Sequence, residues 1–83
     1  MKKVMQKDPR FYIEFSYEGH DVDYDRLIEA KINKEASTGY NFMTGRRDIV
    51  FYFYHENAAQ NALKKLKRFK KYNAKSKLIK CDS

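Results

Sequence analysis

Residues 46–63 read RRDIVFYFYHENAAQNAL. An aromatic strand runs here straight into a helix start, with two arginines just ahead of it. Ile49, Phe51 and Phe53 point one way; Val50, Tyr52 and Tyr54 point the other. A period of two is the mark of a strand. Both faces are apolar or aromatic, which predicts a central strand with one face on a core and the other on something else. That second face points to a binding module.

Working outward, Phe11–Tyr17 has the same alternation. Phe11, Ile13, Phe15 and Tyr17 share one side, and Tyr12, Glu14 and Ser16 the other. Glu18-Gly19-His20 reads as a turn. A helix follows, with Asp21 or Asp23 as N-cap and Asp25 in the first turn, where a carboxylate favours the helix dipole. Tyr24, Leu27, Ile28 and Ile32 form its buried stripe at the 3.6 period. Ser37-Thr38-Gly39 is expected to end it.

A short strand is predicted at Tyr40–Met43, then a hairpin turn at Thr44-Gly45-Arg46-Arg47 into the strand Asp48–Tyr54. The second helix is expected from Glu56 to Lys71. Its apolar stripe is Ala59, Ala62, Leu63, Leu66 and Phe69. Lys64, Lys67, Arg68 and Lys71 lie mostly on the far side, with Lys65 and Lys70 flanking. Tyr72-Asn73 reads as its C-cap region, and a last strand spans about Ser76–Cys81.

The order is β-α-β-β-α-β. Two split β-α-β units with right-handed crossovers give an α+β fold of the ferredoxin-like βαββαβ type: a four-stranded antiparallel sheet with two helices on one face, a two-layer sandwich. The first and third strands are then central, and these are the two richest in aromatics. Phe11, Ile13, Phe15, Ile49, Phe51 and Phe53 are expected to make the core with the helix stripes. Tyr12, Glu14, Ser16, Asp48, Val50, Tyr52 and Tyr54 are expected on an open face. Residues 1–9 read as a flexible polar tail and 10–83 as a single domain.

Arg46–Leu63 resembles the third strand and second helix of RNA recognition motif domains. In that family a basic residue leads an aromatic strand of pattern K/R-G-F/Y-G/A-F-V-x-F/Y. With Phe53 on the last aromatic, Arg46 takes the leading basic position. Ala59 and Ala62 fall where the family's helix alanines lie. Phe11-Tyr12-Ile13 is similar to the family's first strand, with Tyr12 at a base-stacking position. The resemblance implies an RNA-binding sheet. The pattern's glycine position holds Arg47, and its two stacking positions in this strand hold Asp48 and Val50.

The chain has 83 residues, 42% hydrophobic and 16% aromatic, which suits one small domain and excludes disorder by composition. No run approaches the roughly 18 apolar residues of a membrane span, and MKKVMQKDPR lacks the apolar stretch of a secretory signal. The single cysteine, Cys81, excludes an internal disulfide and fits a reducing, cytoplasmic setting. His20 and His55 are isolated, so neither a metal nor another cofactor is expected. The acidic run Asp21, Asp23, Asp25 lacks the glycine and terminal glutamate of a calcium loop and reads as helix capping. No nucleophile–base pair is in view, and the glycine-rich first loop of acylphosphatases, which share this element order, has no counterpart. The module is expected to be non-catalytic.

The net charge of +7 is uneven. Residues 1–63 hold nine Lys/Arg against ten Asp/Glu, whereas residues 64–83 hold nine against one. Such a block is a footprint for a polyanion or an acidic protein, or else a solubilising helix face.

Two functions are weighed. In one, the chain binds single-stranded nucleic acid, RNA or DNA. Tyr12, Tyr52 and Tyr54 stack bases; Arg46, Arg47, Lys75, Lys77 and Lys80 neutralise phosphates; and Lys64, Lys67, Arg68 and Lys71 contact backbone from the helix side. In the other, the patch of Tyr12, Val50, Tyr52 and Tyr54 is a protein interface. It would make a homodimer, or dock a small regulator on a larger, acidic partner. The Lys-, Asn- and Tyr-rich make-up resembles small proteins of low-GC bacteria and their phages.

Overall fold

The computed structural model of the chain describes residues 9–81. The tail expected over residues 1–9 lies, Pro9 apart, outside the described residues. The elements run β1 (Phe11–Glu18), α1 (Val22–Ile32), β2 (Ser37–Asn41), β3 (Arg46–Phe53), α2 (Glu56–Leu66) and β4 (Lys75–Lys80). One 3₁₀ turn, Lys71–Asn73, leads into β4. All pairings are antiparallel and the sheet order is β2-β3-β1-β4, with β1 and β3 central as expected.

The register explains the core. Phe11 lies opposite Phe53, Ile13 opposite Phe51 and Phe15 opposite Ile49. All six are buried on one face, with Tyr17 beside them. Tyr24 and Ile28 of α1 and Ala59, Ala62 and Leu66 of α2 close the same cluster. The small alanines let α2 approach the sheet, and Phe69 packs edge-on against Phe15 and Tyr24. A fully buried Phe or Ile contributes about 1.5–3 kcal/mol relative to exposure, so this face carries most of the stability.

Four expectations are corrected. First, α1 stops at Ile32, not at Ser37-Thr38-Gly39. Asn33 adopts the left-handed conformation (φ 59°) and its N–H donates to the Glu29 carbonyl at 2.7 Å, which ends the helix. Ser37–Asn41 is thereby free to pair with β3. Second, the hairpin turn is earlier. The Asn41 side chain accepts from the Met43 and Thr44 amides, and Gly45 takes a positive φ of 70°. Phe42 and Met43 therefore sit at the tip, while Arg46 and Arg47 belong to β3.

Third, α1 is rotated from the expected stripe. Leu27 is 57% exposed, while Asp25 is buried. Asp25 takes the inward position because Tyr17 and Arg47 bind its carboxylate there. Fourth, α2 ends at Leu66 rather than Lys71. A continued helix would carry Tyr72 away from the core. Instead Tyr72 and Asn73 both take positive φ, and Tyr72 stacks on Tyr17 with ring centroids 5.6 Å apart.

Candidate nucleic-acid interface

Period two and the register build the open face. The row nearest the start of β1 holds Ile79, Tyr12 and Tyr52; the next holds Lys77, Glu14, Val50 and Ser37; the third holds Lys75, Ser16, Asp48 and Gly39. Among the described residues no helix covers these positions, since α1 and α2 pack on the other side. The Tyr12 and Tyr52 rings are neighbours with centroids 5.9 Å apart. Tyr52 is 42% exposed, and Tyr54, just past the end of β3, is exposed as well. The lower rows form a shallow concavity of about 600 Å³ lined by Glu14, Ser16, Asp48, Val50, Lys75 and Lys77 among others. Its charges alternate, and Lys77 approaches Glu14 at 4.0 Å.

Six of the expected site residues therefore share the open face: Tyr12, Arg46, Val50, Tyr52, Lys75 and Lys77, with Tyr54 at its edge. Arg46 is largely engaged there. Its Nε and Nη2 donate to the Ser16 hydroxyl at 3.2 and 3.1 Å, Nη2 also reaches the Ser16 and Asn73 carbonyls, and Nη1 lies 3.7 Å from Glu18. It laces β3 across β1 to the segment before β4.

Arg47 is elsewhere. One position along the strand means the other face. Its Nε and Nη2 each lie 3.0 Å from the Asp25 carboxylate under α1. The Tyr17 hydroxyl donates to the same carboxylate at 2.5 Å and accepts from the Asp21 amide at 3.0 Å. Burial, reinforced by the bond to Asp25, pushes the Tyr17 hydroxyl up to about 12. The Tyr72 hydroxyl donates to Asp21 at 2.7 Å and, with the amides that Asp21 caps, holds that carboxyl below its ordinary value. These residues lock α1 onto the sheet and offer nothing to a ligand on the open side.

Lys64, Lys67 and Arg68 are exposed on the helix layer. Lys71 lies over the Tyr72 and Tyr24 rings, its Nζ 4.9 and 5.9 Å from their centroids. By register, Lys80 falls on the helix-side face of β4.

A second concavity, about 480 Å³, lies between the end of α2 and β4. Lys67, Phe69, Lys70, Asn73, Ala74, Lys75 and Ser76 line it. Lys70 was outside the expected site, because its place depends on where α2 stops. A second feature missed in the sequence is the hairpin tip, where Phe42 is 89% and Met43 95% exposed.

Among the described residues no group of three or more His, Cys, Asp or Glu is placed to hold a metal ion, and no helix is long and apolar enough to cross a membrane. Comparison with known protein families, curated proteins and solved structures finds no match to this chain.

Proposed function

We propose that the chain is a small non-catalytic module that binds single-stranded nucleic acid on the open sheet face. The observation that carries this reading is the adjacent Tyr12–Tyr52 pair, uncovered by either helix and continued by Ile79 and by lysines of β4. Unpaired bases expose flat apolar faces, and stacking on an aromatic ring contributes about 1–3 kcal/mol per base whatever its identity. The alternating charges of the lower rows make the aromatic end the base platform. The basic residues of β4 then hold the phosphates.

The test is a fluorescence anisotropy titration of labelled single-stranded RNA and DNA at about 50 and 200 mM salt. Micromolar or tighter binding is expected, weakened by salt. Tyr52→Ala should reduce it by at least about fivefold, the equivalent of one lost stacking contact. Binding indifferent to Tyr52→Ala would remove the platform. Arg46→Ala is a poor probe, since that side chain laces the sheet.

A second reading is favoured by a different observation. Phe42 and Met43 project from a turn pinned by Asn41, beside β2, which is uncharged, exposed along its length and paired on one side only. An edge without lysines or proline is suited to pairing with another strand, here a second copy of the chain. Sedimentation equilibrium reads this directly. A dimer abolished by Phe42→Ser/Met43→Ser would support it; a monomer at high concentration would exclude it.

A further inference from the structure

We propose that the bound strand does not end on the sheet: it passes over the outer edge of β4 and continues into the concavity between β4 and the end of α2, which acts as a second phosphate-binding site. This rests on the nucleic-acid reading above and adds a path to it.

Three observations carry it. Lys75 and Ser76 line both the sheet concavity and the α2–β4 concavity, so the two surfaces meet along one strand edge. Arg46 of the open face donates to the carbonyl of Asn73, which lines the second concavity, so the rim between them is tied in place. The charge also changes in character across the edge. On the sheet side Lys77 faces Glu14, and Glu14 and Asp48 line the hollow. On the far side three lysines, Lys67, Lys70 and Lys75, line the hollow and no carboxylate does. Among the described residues, none of those three lies within ion-pair distance of an acid.

Lysines brought together without acids repel one another and gain most from an anion with several charges in a row. A nucleic-acid backbone is such an anion, and bases stacked on Tyr12 and Tyr52 start it two rows along the sheet from Lys75. From β3 to the outer edge of β4 is two strand spacings, about 10 Å, and from Ile79 back to Lys75 is a further stretch of about 13 Å along the strand, so the path is a diagonal of roughly 17 Å that a few extended nucleotides span. The concentration of charge in residues 64–83 thereby acquires a role for part of the helix-side block.

The experiment compares Lys67→Gln/Lys70→Gln with Lys31→Gln/Lys65→Gln. The second pair removes the same charge from exposed lysines that line neither concavity. The probe is a labelled single-stranded oligouridylate of about 12 nucleotides, within the range that such grooves track. Affinity is read between about 50 and 200 mM salt, and thermal melting checks that each variant is folded. Loss of two phosphate contacts should flatten the dependence of log K on log salt by about 1.4. Over that fourfold change in salt, wild type should then lose about sevenfold more affinity than Lys67→Gln/Lys70→Gln. The control pair should keep the wild-type slope.

Equal slopes for the two double variants, with binding still sensitive to Tyr52→Ala, would overturn the path and leave the sheet reading standing. Absence of binding by wild type would overturn both.

Discussion

The two faces of this sheet are made from alternate residues of the same strands, yet they obey different rules. Arg46 and Arg47 show the contrast most directly. Arg47 points under α1, where its guanidinium meets a buried carboxylate that also accepts from Tyr17. Arg46 points to the open side and lies flat across β1, bonded to a hydroxyl and two carbonyls at the solvent boundary. The helix face is closed: its apolar groups are packed, and no buried side-chain polar atom among the described residues lacks a partner. Among the described residues the open face leaves the Tyr52 and Tyr54 rings exposed. Stability is concentrated on one side of a single layer, and the rings left open stand on the other.

The largest test of that division pairs neighbours in β3. Phe51→Ala, at a fully buried position, should cost about 3–5 kcal/mol. For a domain this small, that is most of the total. Tyr52→Ala should cost about 1 kcal/mol or less. Urea denaturation of both variants measures the difference. Similar losses would mean that the open face carries structural weight and that the tyrosines are not free for a ligand.

The arginines provide the next comparison. Arg47→Ala leaves the Asp25 carboxylate buried without its cation and should cost about 3 kcal/mol. Arg46→Ala should cost about 1 kcal/mol, because Ser16 and Asn73 can turn to water. Equal costs would show that the buried pair is no more demanding than the surface lacing.

Alkaline pH sharpens the helix-face side. The Tyr17 hydroxyl titrates at about 12 in the fold against an ordinary value of 10. A raised folded value means that its contribution is complete below pH 10 and is lost as pH rises from about 10 to about 12. Tyr17→Phe should cost about 2 kcal/mol at neutral pH through the lost bond to the buried Asp25 carboxylate. Its stability should also decline less steeply than wild type across that alkaline window. Some decline should remain, since burial also raises Tyr24. Parallel curves for the two proteins would show that Tyr17 is not held neutral by the fold.

The division into two faces was legible in the sequence because period two needs no tertiary information. Phe11, Ile13, Phe15, Ile49, Phe51 and Phe53 could be assigned to the core, and Tyr12 and Tyr52 to the open side, from spacing alone. Boundaries were not legible, because single side chains decide them. Asn33 stops α1 through a left-handed turn that asparagine permits but does not announce. Asn41 sets the hairpin tip by binding two amides, and this moves Arg46 and Arg47 from turn to strand, hence to opposite faces. Asp25 reads in the sequence as a first-turn carboxylate that suits the helix dipole; its role depends on Arg47, 22 positions on. The α2–β4 concavity combines a helix end, a 3₁₀ turn and a strand edge, so its lysines converge only once the stop at Leu66 is known.

The smallest expected effects concern two glycines, and they probe how empty the open side is at the β2 edge. Gly45 needs its freedom: φ is +70°, and a side chain there should cost about 1 kcal/mol. Gly39 does not have a positive φ, and a Cβ built on it meets nothing within 4 Å. Its register partner is Asp48, so a side chain there would stand on the open face. Gly39→Ala should therefore be neutral or stabilise by up to about 1 kcal/mol, since glycine weakens a strand through the entropy it loses on folding. Thermal melting at low protein concentration reads this in the isolated chain. Repeating it at high concentration adds information about the edge. A second copy paired along β2 would make the melting temperature rise with concentration, and Gly39→Ala, whose methyl stands perpendicular to the sheet, would leave that rise in place. A melting temperature independent of concentration in both proteins would leave β2 an unpaired edge.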